Sequence, residues 1–454
     1  MSYSLYVFLF TFKQAFFSVL LTVPLGILMA RALVWNQGWK PTQFCLKLLG
    51  IPLITPALVS ILGFITLAGY FFNVYSFTGI LLAHLVFYSP FVALFMINSW
   101  HFIPEEHYRL SAQLHFSPWQ IFALMEAPQL RKSMIEITWI TFCLFLNSFT
   151  TIMILGGGPH HTTLSVALYQ SLFFFYNPTQ GLNFAGLQVF LSFCLAAGTT
   201  LFKSLPHGSS LKMPALPSLK SNFQKPLVIF SLFLILAPLM VVASFSFFSL
   251  SKTLSNPMLW HALSRSLLIS GFMGPLCLLL TLALVKYETL FSKPLASLYL
   301  LLPPALLGVF LFCISLEWDF LPPEIFLFLM QLFIVLPFSF RLLKGPYQIL
   351  QMTYHPTSHS LGLSSFQRFF LIEWPLLKKP LATALGLSLA LSLGDFQSLA
   401  FFASPDIPGL SSLLYMQMGK YNFEESMGTA LILLLLCYLL YQLPHWVLRT
   451  NVRT

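Results

Sequence analysis

Long apolar stretches separated by short polar segments run along the whole of this chain. A helix needs about 20 mainly apolar residues to cross the hydrocarbon core of a bilayer, and eleven stretches come close to that length. Five lie before residue 205 and six after residue 226. The predicted spans are residues 8–32, 48–72, 79–100, 134–155, 185–202, 227–250, 264–285, 295–316, 325–343, 381–403 and 428–448. The pattern therefore predicts an all-α polytopic membrane protein with about 11 transmembrane helices, five and six in its two halves.

The composition supports a membrane location. Hydrophobic residues make up 57% of the chain and charged residues only 8%, whereas a soluble protein carries roughly a quarter charged residues. So few charges cannot solvate a globular surface, so membrane lipid is expected around much of the protein. The net charge of +10 does not indicate nucleic acid as a partner, because the basic residues lie between apolar spans and not on one face.

Lysine and arginine are concentrated in alternate loops. One set of loops contains residues such as Arg109, Arg131 and Lys132, while the opposite set contains Glu317 and Asp319. The positive-inside rule assigns the basic loops to the cytoplasm. With eleven spans, the N-terminus is then periplasmic and the C-terminus cytoplasmic.

A polar segment divides the chain in two. Residues 206–226 are rich in proline, serine and lysine and contain no acidic residue, which is typical of a linker. It separates a first domain, residues 1–205, from a second domain, residues 227–454.

The two halves share a repeated sequence. The segments LHFSPWQIFALMEAPQLRK (114–132) and LGLSSFQRFFLIEWPLLKK (361–379) align without a gap at an offset of 247 residues, which takes His115 to Gly362. Identical pairs include Ser117 and Ser364, and Glu126 and Glu373. Because both copies lie in loops that the positive-inside rule assigns to the cytoplasm, we expect a parallel repeat about an axis along the membrane normal.

Each copy predicts a short capped helix. Ser117 is a candidate N-cap with Gln120 three residues later, as in a capping box, and an apolar stripe follows. Pro128 and Pro375 are expected to end the helix and return the chain to the membrane. Such a helix suits a groove in a partner protein; an amphipathic helix lying on lipid is the alternative.

These segments resemble the EAA loop of ABC importer permeases, whose pattern has a glycine and, thirteen residues later, a proline. Gly362 and Pro375 fit that spacing, as do His115 and Pro128, although His115 stands where the family has glycine. The strings LSLGDF (391–396), GGGP (156–159), LLYMQ (413–417) and GTALILLLLC (428–437) are similar to the thiamine-permease branch from Gram-negative bacteria. Members of that branch usually have six spans in each half, so this chain begins at what resembles their second helix.

The resemblance implies two tandem type I ABC importer permease domains in a bacterial inner membrane, with coupling loops at residues 105–132 and 345–379. It implies as partners two copies of a cytoplasmic ABC ATPase, which would bind ATP and Mg, and a periplasmic substrate-binding protein. The cargo would be thiamine or its phosphate esters, with iron(III) or another small solute as the alternative. The implied ATPase-coupling residues are Gln113, His115, Trp119, Phe122, Glu126, Pro128, Gly362, Phe366, Phe369, Glu373 and Pro375.

Within these loops, Glu126 and Glu373 are expected to pair with nearby arginine or lysine, and Phe122 and Phe369 to fill a groove of the ATPase. The chain has no GxxxxGK[ST] phosphate loop. We therefore expect it to be a transport subunit and not an enzyme, with no catalytic residue, cofactor or metal of its own.

Asp395 is nearly alone as a charge within a predicted span. An aspartate at the centre of a membrane helix costs about 2.5–3.5 kcal/mol, so it is expected to face protein or water. Asn147 and Ser148 align with this region in the first half, and the three residues are candidate pore residues; an interhelical hydrogen bond is the alternative. An ion-coupled secondary transporter would be expected to carry more intramembrane charges, and a membrane enzyme would need a clustered constellation that is not found.

Overall fold

A computed structural model describes residues 2–100, 102–156, 158–200, 224–286, 303–318, 320–402 and 408–448. Every regular element in these ranges is helical. The predicted linker 206–226 lies outside the described residues except for its last three positions. The beginning of the predicted span 295–316 and the last residues of the spans 185–202 and 381–403 also lie outside them.

Eleven helices precede residue 201. They are α1 (Tyr3–Trp35), α2 (Lys40–Leu48), α3 (Ile51–Ile54), α4 (Ala57–Ala68), α5 (Phe77–Trp100), α6 (Glu105–Gln113), α7 (Pro118–Ile121), α8 (Ala127–Leu146), α9 (Thr150–Leu155), α10 (Leu164–Phe173) and α11 (Pro178–Thr200). A π-helical turn, Phe122–Glu126, joins α7 to α8, and a short 3-10 turn, Pro159–His161, precedes α10.

Nine described helices follow residue 223. They are α12 (Lys225–Leu254), α13 (Pro257–Lys286), α14 (Pro304–Glu317), α15 (Pro323–Ser360), α16 (Ser365–Arg368), α17 (Trp374–Gly394), α18 (Gln397–Phe402), α19 (Leu410–Gly419) and α20 (Phe423–Val447). A second π-helical turn, Phe369–Glu373, joins α16 to α17.

Seven described helical segments are long and apolar enough to cross a membrane: Tyr3–Trp35, Phe77–Trp100, Lys225–Phe247, Pro257–Lys286, Pro323–His355, Phe366–Gly394 and Phe423–Val447. An eighth span is possible if the pair Lys40–Ile54 and Ala57–Ala68, bent by 113°, counts as one. The predicted span 48–72 is therefore bent, because the chain turns at Pro56, the N-cap of α4. The total of eleven stays a prediction.

Two further predicted spans are broken. The span 134–155 is interrupted at Asn147, where α8 ends before α9 begins. The span 381–403 is interrupted at Asp395, whose backbone is extended with φ −72° and ψ 112°. Asp395 thus lies at a helix break and not in the middle of a helix. Each break has only a few polar residues between two apolar stretches, so hydropathy averaged over a whole span did not predict it.

The offset of 247 residues extends beyond the repeated segments. It takes Pro56, the N-cap of α4, to Pro303, the N-cap of α14, with nearly equal backbone angles. The same offset aligns the two π-helical turns with each other, and likewise the breaks that follow α8 and α17. One difference is that α15 runs unbroken where the first half has α5 and α6. Pro104, the N-cap of α6, has Gln351 as its counterpart, and proline disfavours a continuous helix.

Helix α12 connects the two halves. Its Val228, Leu234 and Ile235 are buried in a core formed otherwise by side chains of the first half. Gly63 of α4 has no side chain, and a Cβ there would collide with the backbone of Pro238. Towards its other end, α12 packs on α20, where the Ser246 hydroxyl donates to the Met427 carbonyl at 2.6 Å. The helix after the predicted linker therefore packs against both halves.

Candidate functional site

The two repeated segments, called here the first coupling segment (114–132) and the second coupling segment (361–379), begin with the same backbone turn. His115 has φ +52° and Gly362 has φ +64°, both in the left-handed region. Phe116 N–H donates to the Ser111 carbonyl at 3.0 Å, and Leu363 N–H donates to the Ser358 carbonyl at 3.2 Å. This is the Schellman pattern that closes a helix C-terminus. His115 therefore adopts the glycine-like conformation that the resemblance requires.

The predicted capping box is confirmed in both copies. In the first, Ser117 N–H donates to the Gln120 side chain at 2.8 Å and Gln120 N–H donates to the Ser117 hydroxyl at 3.3 Å. In the second, the Ser364 and Gln367 bonds measure 3.0 and 3.3 Å. Each segment therefore starts a helix at a fixed residue.

The prediction that proline ends this helix is wrong. Pro128 and Pro375 each follow a π-helical turn and lie in the first turn of α8 and of α17. A proline in a regular helix clashes with the carbonyl four residues earlier; here that residue, Leu124 for Pro128, belongs to the wider π turn. The widened turn accommodates the ring, so each coupling segment continues directly into a long helix.

Matching apolar side chains project from both coupling segments. Trp119 is 71% exposed and its counterpart Phe366 is 73% exposed; Leu124 and its counterpart Leu371 are 61% and 65% exposed. The predicted groove-filling residues Phe122 and Phe369 are half-buried instead. Gln113, at the end of α6, and the two prolines are exposed as well. Large apolar side chains are therefore uncovered at equivalent positions of the two coupling segments.

Glu126 is fully buried at the base of the first coupling segment. Its Oε2 accepts from Arg31 Nε at 2.7 Å, and its Oε1 accepts from Trp35 Nε1 at 2.8 Å. Tyr108 and Trp100 add weaker bonds at 3.3 and 3.4 Å. Burial and the neighbouring Glu126 carboxylate raise the pKa of Tyr108 above its usual range, so its hydroxyl remains a donor.

Arg31 also contacts the surface of this segment. Its guanidinium lies over the rings of Trp35 at 4.4 Å and Phe122 at 5.2 Å, and it donates to the Pro118 carbonyl. The Arg31 side chain, which belongs to α1, therefore contacts both ends of α7. Phe122 is half-buried because it forms one wall of this site.

The Glu373 carboxylate has a different kind of partner from that of Glu126. Its Oε1 accepts from Arg368 Nε at 3.1 Å, and Arg368 belongs to the same coupling segment, five residues earlier. The expectation that both glutamates pair with a basic residue is confirmed. In the first half, however, the arginine comes from another helix, whereas in the second it is local.

A second set of residues surrounds the break after α8. His84 of α5 is fully buried; its Nδ1 is 2.8 Å from the Ser18 hydroxyl and its Nε2 is 3.2 Å from the Ser148 hydroxyl. Within the described part of the chain, both polar atoms of the Asn147 side chain lack a hydrogen-bond partner. The counterpart of His84 is Gln331, which bonds Ser392 next to the other break, at 2.7 and 3.2 Å.

Asp395 caps the helix that follows its break. Its Oδ1 accepts from Gln397 N–H at 3.0 Å and from Ser398 N–H at 3.4 Å, while its buried Oδ2 has no hydrogen-bond partner among the described residues. Gly394 allows close approach, because a Cβ there would lie 3.0 Å from Pro56. The break in the second half thus lies against the bend in the first.

Four aromatic side chains, called here the central aromatic cluster, meet next to these breaks: Phe149, Tyr169, Phe396 and Tyr415. Phe149 and Phe396, counterparts at the offset of 247, stack on each other with 6.4 Å between ring centroids. Phe149 also packs on Tyr169 at 5.4 Å, and Phe396 on Tyr415 at 4.7 Å. Sequence reasoning did not single out these residues, although extending the offset along the chain would have paired the two phenylalanines.

The chain is similar to known membrane transport proteins. A family model described as "Binding-protein-dependent transport system inner membrane component" matches residues 289–450. The thiamine transport system permease protein of Haemophilus influenzae is 32% identical over 483 aligned residues, which cover 98% of this chain and 88% of the relative. The protein of the same description from Escherichia coli is 32% identical, with coverage of 100% and 91%. That from Brucella abortus is 31% identical, with coverage of 94% and 85%.

Proposed function

Because this chain belongs to the family of binding-protein-dependent ABC importer permeases, we propose that it carries thiamine and thiamine phosphate esters across the bacterial inner membrane. Thiamine is inferred from relatives that align with nearly the whole chain and are described as thiamine transport system permease proteins. The family description supports a substrate-binding protein as the partner that delivers the cargo on the periplasmic side.

The observation that carries the ATPase part of the proposal is the duplicated coupling segment. Both copies share a left-handed entry, a capping box and a π-helical turn. Both leave a large aromatic and a leucine exposed at equivalent positions. Two copies of one ATPase would each meet the same surface, which suits one ATPase for each half. ATP and Mg would bind to those ATPases.

The same geometry suggests how the ATPase acts on the substrate pathway through the membrane. Each coupling segment continues into one long helix, α8 or α17, which ends at the break marked by Asn147 or Asp395. Helix α8 has 20 residues, about 30 Å at 1.5 Å per residue. Closure of the ATPase dimer would draw the coupling segments together, and these helices would transmit the movement to the breaks. Hydrolysis would reset the subunit.

Asn147, Ser148 and Asp395 are the proposed pore residues. Asn147 and Asp395 have buried polar atoms without a hydrogen-bond partner among the described residues, which costs free energy unless another group uses them. A carboxylate on the path of a cation lowers the barrier to passage. In this arrangement the coupling segments are cytoplasmic and the N-terminus is periplasmic.

Reconstitution tests the proposal. Native mass spectrometry of the purified complex should give one permease chain with two ATPase chains, because both coupling segments lie on one polypeptide. Proteoliposomes with the cognate binding protein should accumulate thiamine when ATP is supplied, and iron(III) serves as the comparison cargo. Two permease chains for two ATPases would contradict the assembly, and uptake of iron(III) without thiamine would contradict the substrate.

A further inference from the structure

The central aromatic cluster lies where the two halves meet. Phe149 and Phe396 are 3% and 4% exposed, and each is the last residue of its helix break, directly before the next helix begins. Each packs against a tyrosine of its own half, and the two phenylalanines stack on each other across the interface with 30° between their planes. The Tyr169 hydroxyl also donates to the Ala400 carbonyl of the other half at 3.2 Å.

Aromatic side chains are not needed simply to close the interface between the two halves. Aliphatic side chains would close the interface equally well, but aromatic faces carry partial negative charge and attract cations. The cluster adjoins Asp395, whose buried Oδ2 has no hydrogen-bond partner among the described residues. Aromatic faces together with a carboxylate form a surface suited to a flat organic cation, which can stack on the rings while the carboxylate balances its charge.

We propose that the central aromatic cluster contacts the substrate during passage and, together with Asp395, selects solutes that carry a flat cationic ring. This deepens the proposed function and rests on it, since the halves must separate for a solute to pass. When the two halves separate, the faces of Phe149 and Phe396 that now stack on each other become free. The ring of the solute then inserts between the two phenylalanines. The tyrosines enlarge this surface from either side.

Uptake by the full complex in proteoliposomes tests the cluster. The double variant Phe149→Leu and Phe396→Leu keeps apolar bulk but removes the aromatic faces. We expect thiamine uptake to fall about tenfold, as loss of desolvated cation–π contacts implies, while ATPase activity with loaded binding protein stays within about twofold. The double variant Phe149→Tyr and Phe396→Tyr keeps the aromatic faces and should retain at least half of the uptake. Wild-type uptake in the leucine variant would overturn the proposal.

Two controls keep the test decisive. Phe193→Leu with Phe272→Leu removes two highly exposed rings away from the cluster and should leave uptake unchanged. If the double leucine variant does not assemble, each single leucine variant should lose uptake about threefold; no loss in either overturns the proposal.

A cargo panel separates this proposal from the assignment of thiamine. If the wild-type complex accumulates a different flat cation, thiamine is the wrong cargo but the cluster keeps its role. If it accumulates only solutes without a flat cationic ring, the selection proposed for the cluster is wrong.

Discussion

Arg31 and Glu126 form a buried ion pair, 2.7 Å between Nε and Oε2, that joins the end of α1 to a coupling segment 95 residues further along the chain. The carboxylate also accepts two indole N–H bonds and a phenol bond. A short helix of four residues, α7, cannot hold its position by its own hydrogen bonds. The first coupling segment is therefore held in place by α1 and α6 and not only by its local sequence.

Replacing Arg31 by glutamine should destabilise the protein strongly, because the Glu126 carboxyl group would remain buried without its cationic partner. Removing one partner of a buried pair typically costs about 3–5 kcal/mol. The measurement is the unfolding temperature of the purified protein in detergent, together with proteolysis of the first coupling segment. The matched control is Arg109→Gln, which breaks only the exposed pair with Glu105 and should change stability little. Equal unfolding temperatures for the two variants would contradict this account.

Trp119 and Phe366 should be the main aromatic anchors for the ATPase, because they are far more exposed than Phe122 and Phe369. Truncating an interface anchor commonly costs about 2 kcal/mol or more. Trp119→Ala with Phe366→Ala should therefore weaken ATPase binding at least tenfold, measured by biolayer interferometry on nanodisc-embedded permease. Each single variant should leave one segment functional and bind with intermediate affinity.

The pair Phe122→Ala and Phe369→Ala gives the comparison. Phe122 packs under Arg31, so its loss should loosen the first coupling segment and lower stability more than it removes contact area. A larger loss of ATPase affinity from this pair than from Trp119 and Phe366, at unchanged stability, would show that the half-buried phenylalanines are the anchors.

The sequence predicted the local features of the coupling segments because those features are encoded within a few residues. Ser117 and Gln120 specify the capping box, and the offset of 247 residues identifies the second copy. It did not predict Arg31 as the partner of Glu126, since nothing in the sequence brings residues that far apart together. Nor did hydropathy predict the break at Asn147, because the few polar residues that follow it are averaged with the apolar residues of a whole span.

His84 should act as the residue that positions the break after α8. It links the Ser18 and Ser148 hydroxyls, whereas its counterpart Gln331 bonds the hydroxyl and the carbonyl of a single residue, Ser392, next to the second break. His84→Gln keeps a hydrogen-bond donor and an acceptor at this position and should preserve at least half of the uptake. His84→Leu leaves both hydroxyls without this partner and should cost about 1–3 kcal/mol.

Unfolding temperature and thiamine uptake measured on both His84 variants check this. Gln331→His is the reciprocal exchange and should be tolerated to a similar degree. If His84→Gln abolishes uptake although the protein is stable, the imidazole does more than position Ser148.

Substitutions of Asp395 can test the role of its charge separately from its role as a helix cap. Its Oδ1 caps α18 through the backbone N–H groups of Gln397 and Ser398, and asparagine is about as good an N-cap as aspartate. Asp395→Asn should therefore fold and bind the ATPase normally, yet lose most uptake of a cationic solute, because the attraction that lowers the barrier to passage is gone. Asp395→Leu removes the cap as well and should lower the unfolding temperature. The measurements are uptake, ATPase activity and thermal unfolding of the three proteins side by side. If Asp395→Asn transports at the wild-type rate while Asp395→Leu fails to assemble, the carboxylate only shapes the helix break, and the pathway does not use its charge.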